Sequence, residues 1–468
     1  MGKVYKTKEE VLEKARDIYT NGFIKFKDID KHSFLNGPNK GDVGQMIEVD
    51  WFGLDLNNRN EKDFPEANIE LKVFPYIVNR NGITAKERVS VTMINYMDEV
   101  KVDKFEDSSF WHKADSILVM RYKHEPNTEK QDCYIDDSML LKYTDEDMQI
   151  IRKDWQTINS YIKKGRAHEL SESLTTYLGA CTKSVDSSKE RRQPNSDTLA
   201  KPRAYCLKNS FMTHVLRSDF ENENRIHTLI KDLNILNSIS LEDYVVSVIK
   251  QYVGLSQEEL LSRLDIQSKS KHKNSLIIRK MFDIDFAIDQ SEEFSKGAIK
   301  VKTIVAYGND YKVKEHMSFP TFKFIDIIEN IWEESTIKEY FEEMKLLFVV
   351  FVKLGEKIVL RDVFFYSIPE LDLEQIGVVY NKLRDILNLE VKISEKTTKK
   401  GIIHMNNLPK AKDNRVVHIR PHASKADYSI NGKYSDNTGH GIWITNQSFW
   451  FNRSYIREIL LNRHKKTK

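Results

Sequence analysis

Residues 62–72 read Lys-Asp-Phe-Pro-Glu-Ala-Asn-Ile-Glu-Leu-Lys, and three of them could do chemistry together: Asp63, Glu70 and Lys72. Ile69, Leu71 and Val73 alternate with Glu70, Lys72 and Phe74, the period of a strand with one face on a core. Glu70 and Lys72 then share the other face, about 7 Å apart by strand rise. Pro65 favours a turn before the strand, which would bring Asp63 beside Glu70. Two carboxylates suit Mg2+, a hard ion that takes oxygen ligands. Such a metal polarises a phosphate and lowers the pKa of bound water, and a nearby lysine can orient that water and offset charge in the transition state. The chemistry would be phosphodiester hydrolysis. The same residues also fit an ordinary half-exposed strand with a solvated Glu/Lys pair, because Asp-x6-Glu-x-Lys is short and degenerate. The rest of the chain has to decide.

The elements that would position these residues belong to a chain of 468 residues, enough for two or three domains. Hydrophobic content of 40% and charged content of 31% fit a soluble globular protein. A net charge of +3 says little about nucleic acid, for which the distribution of charge counts more. Cys133, Cys181 and Cys206 have no paired spacing, which disfavours a zinc site or a disulfide framework and points to a reducing, cytoplasmic setting. The N-terminus lacks the apolar stretch of a signal peptide. The longest apolar run, Leu346 to Val352, is too short to span a bilayer, so no membrane is expected.

In chain order, Thr7 and Glu10 make a capping box ahead of a helical pattern with Val11, Ala15 and Ile18. Residues 36–41, Asn-Gly-Pro-Asn-Lys-Gly, form a turn cluster. Asp42 to Glu48 predicts a helix with Val43, Met46, Ile47 and Trp51 on its apolar face and Glu48 on the flank. Val89 to Ile94 reads as extended, Ile117 to Met120 as a buried strand, and Asp145 to Ile162 as a long amphipathic helix. Between Thr182 and Lys208, seven Lys/Arg (Lys183, Lys189, Arg191, Arg192, Lys201, Arg203, Lys208) outnumber Asp186, Glu190 and Asp197 among loop formers such as Ser184, Ser187, Ser188, Pro194 and Asn195. This fits a basic loop following a phosphate backbone, or equally a solvated mobile loop.

An internal repeat with a period of about 230–245 residues indicates a domain duplication. Ser240-Leu-Glu-Asp243 repeats the capping box. Glu293-Phe294 and Ile299-Lys300-Val301-Lys302 repeat Asp63-Phe64 and Ile69-Glu70-Leu71-Lys72 at a constant offset of 230. Leu346 to Val352 falls where the Ile117 to Met120 strand should recur, and residues 449–455 echo residues 205–211. Lys300, however, occupies the place of Glu70, and near the Glu48 position the chain reads Ile278-Arg279-Lys280. An ammonium about 4 Å from a cation site costs on the order of several kcal/mol, so the second copy should neither bind Mg2+ nor cut. It keeps nine Lys/Arg between Lys392 and Lys425 against Glu395 and Asp413, which suits DNA binding.

Val43-Gly44-Gln45-x-x-Glu48, Asp63-Phe64-Pro65-Glu66 and Ile69-Glu70-Leu71-Lys72 resemble the catalytic region of the MutH mismatch-repair nickase family and of the Sau-type restriction endonucleases that cut at GATC. The resemblance continues through Asp154-Trp155, residues 168–172, Tyr177-Leu178, Gln193-Pro194 and residues 207–211. With the second copy it covers nearly the whole chain, and the two-domain length matches the Sau-type enzymes. It implies an α/β (α+β) architecture of two tandem MutH-like PD-(D/E)xK restriction-endonuclease domains, each a mixed sheet flanked by helices. The expected division is a catalytic domain over 1–225, a linker over 226–240 and a degenerate, DNA-binding effector domain over 241–468. Glu48, Asp63 and Glu70 match the family's acidic, metal-holding residues, Lys72 its catalytic lysine and Lys113 a further active-site lysine, with Lys113 equally readable as an exposed turn lysine. The base-reading loop of the family matches Ile419-Arg420-Pro421-His422-Ala423, where Arg420 can donate twice to a guanine. In the first copy Thr182, Lys183 and Lys208 are the expected DNA contacts. Cys206 stands where the nickase carries an aromatic residue that helps sense adenine methylation.

The resulting expectation is a type II restriction endonuclease that needs Mg2+ and cuts double-stranded DNA at 5′-GATC-3′ before the G. Its C-terminal copy would bind a second GATC as an allosteric effector. Its partners would be GATC-containing DNA, a second chain paired on DNA and, functionally, a cognate methyltransferase. The rival readings are a strand-selective mismatch-repair nickase and a non-cutting GATC-binding regulator.

Overall fold

A computed structural model describes residues 2–20, 22–36, 41–55, 61–79, 82–125, 128–183, 189–221, 227–267, 273–398 and 401–466. The expected turn at 37–40, the centre of the basic segment at 184–188 and Lys399 and Lys400 lie outside these residues. The chain forms two compact units, Met1–Tyr244 with Ile288–Ile299, and Val245–Ala287 with Lys300–Lys468.

The first unit is built on two mixed or antiparallel sheets. Strands β1 (Glu70–Asn79), β2 (Gly82–Ala85), β4 (Ile117–Lys123) and β5 (Asp137–Leu140) form one sheet in the order β2-β1-β4-β5; β3 (Val89–Met93), β6 (Leu178–Thr182) and β9 (Arg203–Leu207) form the second in the order β3-β9-β6. β1 and β4 run parallel, pairing Glu70 with Ile117 and Lys72 with Val119. Parallel neighbours are covered on both faces, and Ile117 to Met120 are fully buried as the apolar run predicts. This also explains a departure from the simple alternation expected for β1: Leu71 is buried on one face, and Glu70 and Phe74 are buried on the other, Glu70 at 1% exposure.

Helices cover the sheets. Lys8–Thr20 packs Val11, Ala15 and Ile18 inward; Thr7 Oγ1 accepts from Glu10 N (3.3 Å), but the Glu10 carboxylate reaches back one residue farther than a capping box requires, to Lys6 N (2.7 Å). Asp145–Lys163 starts at a complete capping box between Thr144 and Asp147 and buries Ile150, Ile151, Trp155, Ile158 and Ile162, one apolar stripe at helical spacing. The basic segment after Thr182 is not simply a loop: β7 (Arg191–Gln193) and β8 (Ser196–Ala200) form a hairpin turning at Pro194-Asn195, with Asn195 in the left-handed region (φ 58°).

The second unit repeats this plan. β10 (Ile299–Tyr307), β11 (Lys312–Val313), β13 (Lys345–Leu354) and β14 (Lys357–Ser367) lie in the order β11-β10-β13-β14; β12 (Met317–Thr321), β17 (Val417–Pro421) and β20 (Gln447–Phe451) lie in the order β12-β20-β17. Strand for strand these correspond to β2-β1-β4-β5 and β3-β9-β6, and the antiparallel pairs recur in the same places. Hairpins β15 (Ile393–Thr398) with β16 (Gly401–Asn406) and β18 (Ser435–Asn437) with β19 (Trp443–Thr445) are added. The helix Glu370–Leu389 buries Ile376, Val379, Tyr380, Leu383 and Leu387, in the place of Asp145–Lys163.

Candidate active site

The turn before β1 is closed by an isolated bridge in which Phe64 and Ile69 exchange backbone hydrogen bonds of 2.9 and 3.1 Å. Asn68 N also bonds Pro65 O (3.2 Å), and Asn68 takes a left-handed φ of 56°, a conformation asparagine tolerates better than most residues. This tight reversal lays Asp63 against the start of the strand, where its Oδ2 accepts from Leu71 N (2.7 Å). Glu70 follows with its own N–H on Ser116 O (3.0 Å).

Two lysines converge on the Glu70 carboxylate. Lys72 Nζ lies 2.5 Å from Oε1, and Lys113 Nζ lies 3.3 Å from Oε1 and 3.2 Å from Oε2. Lys113 comes from the last turn of the helix Ser109–Ala114, which opens at Ser108, whose Oγ caps Trp111 N (3.1 Å). Such a cap stabilises by about 1 kcal/mol. Lys113 is therefore half-buried in a helix and faces Glu70, rather than lying exposed in a turn.

Glu48 arrives from a third element. The helix Asp42–Met46 continues into a wide π turn over Ile47–Trp51, in which Phe52 N bonds Ile47 O (3.0 Å); single π turns of this kind occur mostly at functional sites. Val43, Met46 and Ile47 are buried and Trp51 half-buried, as the periodicity predicts. Burial pushes the Glu48 carboxyl up to about 7, reinforced by the negative charges of Asp63 and Glu70 and opposed by Lys72 and Lys113. Burial, then the charge of Glu70, likewise raises Asp63. Burial lowers the Lys72 ammonium, but Glu70, Asp63 and Glu48 outweigh it and hold the group above its ordinary value. Lys72 is thus a fixed positive charge at neutral pH.

Glu48, Asp63, Glu70, Lys72 and Lys113 therefore form one electrostatic cluster. Glu70 Oε2 is buried, and the Lys113 ammonium 3.2 Å away is its ion-pair partner. Among the described residues no three His, Cys, Asp or Glu side chains form a ready-made metal cage. Asp63 and Glu70 nonetheless fit a hard divalent cation, which takes oxygen ligands and can complete its shell with waters and substrate phosphate.

A residue the sequence pattern does not single out ties the pieces together. Lys62, 9% exposed, donates from Nζ to Asn68 Oδ1 (2.9 Å) and Asn68 O (3.3 Å) and pairs with the Asp115 carboxylate. Its partner Asp115 is 53 residues away, beyond any local pattern. Asn68 alone carried a signal, as a turn former.

The expected DNA contacts separate into two groups. Thr182 is half-exposed and accepts from Arg203 Nη1 (3.1 Å); Lys183 is exposed and bonds Ser90 Oγ. Lys189, Arg191 and Arg192 are exposed on and before the hairpin. Lys208 is a correction: it is fully buried, its Nζ donates to Thr175 O (2.7 Å), and it cannot meet a phosphate there. Beside it Asp154, also buried, accepts from the N–H groups of Thr176, Tyr177 and Leu178 (2.8, 2.6 and 2.9 Å), so Asp154 and Lys208 hold the turn into β6. Gln193 likewise serves the scaffold, accepting from Ala167 N (2.6 Å) and donating to Thr198 O (2.6 Å).

In the second unit Arg420, Pro421 and His422 are all exposed at the end of β17. The Arg420 guanidinium lies over the Trp450 ring, 5.2 Å from its centroid, and His422 N bonds Asn446 O (2.8 Å). Strand pairing places Arg420 opposite Ser448 and Cys181 opposite Ala204, so Arg420 holds the position of Cys181 and Pro421 that of Thr182.

No helix among the described residues is long and apolar enough to cross a membrane. A family model described as DNA mismatch repair enzyme MutH matches residues 52–154. The type II restriction enzyme Sau3AI of Staphylococcus aureus is 32% identical over 496 aligned positions, covering 97% of this chain and 98% of that enzyme. The DNA mismatch repair proteins MutH of Shewanella woodyi and Actinobacillus pleuropneumoniae are 28% and 26% identical, over 46% and 45% of this chain and 93% and 94% of their own lengths.

Proposed function

The chain belongs to the family of the type II restriction enzyme Sau3AI and is a site-specific deoxyribonuclease; from that premise we propose that it cuts double-stranded DNA at 5′-GATC-3′, before the G, with Mg2+ as its cofactor. The observation that carries this reading is Glu70: a buried carboxylate with Asp63 beside it and two lysines upon it. When bound, the metal supplies charge stabilisation of the phosphate and a more acidic water.

Asp63 and Glu70 would hold the cation. Asp63 is oriented by Leu71 N–H, which donates to its Oδ2. Lys72 stays protonated, so it orients the attacking water and neutralises charge on the phosphate. Lys113 adds a second positive charge from the other side of Glu70. Glu48, with its carboxyl pushed to about 7, sets the net charge of the site and helps hold a second ion. The product carries a 5′-phosphate and a four-base overhang.

One such site per chain cuts one strand at a time, so cleavage of both strands needs two chains paired on DNA or two successive nicks. The second unit has Lys300 where the first has Glu70 and presents Arg420 for guanine. It binds a second GATC and thereby favours the cutting-competent state. The enzyme acts in the cytoplasm alongside a methyltransferase that protects the host's GATC sites. Plasmids with one or two GATC sites, digested with Mg2+ and with chelator, test the whole reading. One-site plasmid is expected to be cut slowly and to speed up when a GATC duplex is added; equal rates on both plasmids would remove the effector role. Glu70→Ala is expected to bind and not cut, and cutting by this variant would overturn the site assignment.

A further inference from the structure

We propose that Lys62 is a positioning residue of the reaction: a buried ammonium that locks the Asp63 turn to the Lys113 helix and so sets the spacing of the metal-binding carboxylates. The inference rests on the reading of Asp63 and Glu70 as the metal site.

Four segments bring the site together, the Asp63 turn, β1, the Lys113 helix and the π turn of Glu48, and Lys62 ties the first to the third. Toward its own turn it donates to Asn68 at both the side-chain oxygen (2.9 Å) and the backbone carbonyl (3.3 Å). Those bonds hold Asn68 in the left-handed conformation on which the Phe64–Ile69 bridge turns. Toward the helix it pairs with Asp115, two residues after Lys113. Ser116, the next residue, accepts from Glu70 N (3.0 Å). The path from Asp63 to Lys113 to Glu70 is thereby closed through one side chain.

The charge is handled as well as the geometry. Lys62 lies next to Asp63 in sequence, yet its ammonium is spent on Asp115 and Asn68. Supporting partners of this kind, when removed, cost about 10- to 100-fold in metal affinity or activity.

The test uses the full chain with Lys62→Met, which keeps length and removes all donors, and Lys62→Arg, which restores a buried cation. Lys62→Met is expected to lower kcat about 10- to 100-fold and to weaken Mn2+ binding, followed by paramagnetic resonance, by a similar factor. Its affinity for a GATC duplex in Ca2+ should stay within about two-fold, a split that loss of a phosphate contact would not give. Lys62→Arg should recover most of both losses. Wild-type kcat and Mn2+ affinity in Lys62→Met would overturn the inference, as would DNA affinity falling in step with cleavage. Should Lys62→Met fail to fold, Asn68→Gly keeps the left-handed turn and removes one acceptor; it should weaken Mn2+ binding measurably, and no change in it would count equally against the inference. Cutting by Glu70→Ala would instead sink the site reading on which the inference stands.

Discussion

Lys72 Nζ sits 2.5 Å from Oε1 of Glu70, two residues earlier on the same face of one strand, and both side chains are largely withdrawn from water at 23% and 1% exposure. A pair this close on one strand face is self-contained: neither partner needs an outside group to hold it in place. Because Glu70 is also met by Lys113, removing Lys72 does not leave the carboxylate unpaired. Lys72→Met should therefore fold and bind DNA within a few-fold of the wild type, while its cleavage rate falls about 100-fold or more. Single-turnover cleavage and equilibrium binding of one GATC duplex separate the two effects.

Glu48 makes the site a source of instability when no cation is present. Its folded carboxyl is raised from 4.5 to about 7, so its contribution is fully present below the unfolded value and is lost as pH rises through the folded one. Glu48→Gln does not titrate. It should melt higher than the wild type in chelator at pH 8, by at most about 3 kcal/mol, and lose that advantage at pH 4. Mg2+ should narrow the gap at pH 8 by stabilising the wild type more.

His418 titrates with the opposite sign. Burial, then the neighbouring His316 ring at 4.6 Å, lowers it from 6.5 to about 4. The stability it brings is present above 6.5 and is lost as pH falls toward 4. The wild type should lose up to about 3 kcal/mol more than His418→Gln between pH 7 and pH 4, read from melting curves across that range.

Lys208 and Lys183 should part company in salt titrations. Lys183→Ala removes an exposed charge and should lower the slope of log K against log salt by about 1. Lys208→Met should leave the slope unchanged and cost about 2–4 kcal/mol of stability instead, because it strips a donor from the buried Thr175 carbonyl and a cation from the vicinity of Asp154.

Arg420→Ala should weaken binding to GATC duplex by about 1–3 kcal/mol while sparing a duplex of scrambled sequence. A uniform loss on both sequences would make Arg420 a phosphate contact. The comparison is cleanest in a Glu70→Ala background with chelator, where only binding is read.

Much of this was legible from local pattern. Glu70 and Lys72 share a strand face, Asp63 is returned to them by a Pro-led turn, and the Ile117 run is a core strand, because each depends on neighbours a few residues apart. The repeat was legible because matching segments recur in the same order along both halves of the chain. Three things were not. The burial of Glu70 depends on parallel pairing with a strand 47 residues on. The role of Lys62 depends on Asp115. Lys208 has the charge of a DNA contact but follows the buried strand β9, all five of whose residues are buried; its neighbours, not its type, decide where its ammonium goes.

Glu293, the counterpart of Asp63, no longer occupies a tight reversal. It sits in the short helix Glu292–Lys296, fully buried, with Oε1 accepting from Leu229 N and Ile230 N (2.7 and 2.8 Å). A Lys300→Glu exchange would thus place a carboxylate on a strand whose neighbouring acid, Glu293, is set in a helix and bound to two backbone N–H groups, rather than lying in a turn against the strand as Asp63 does.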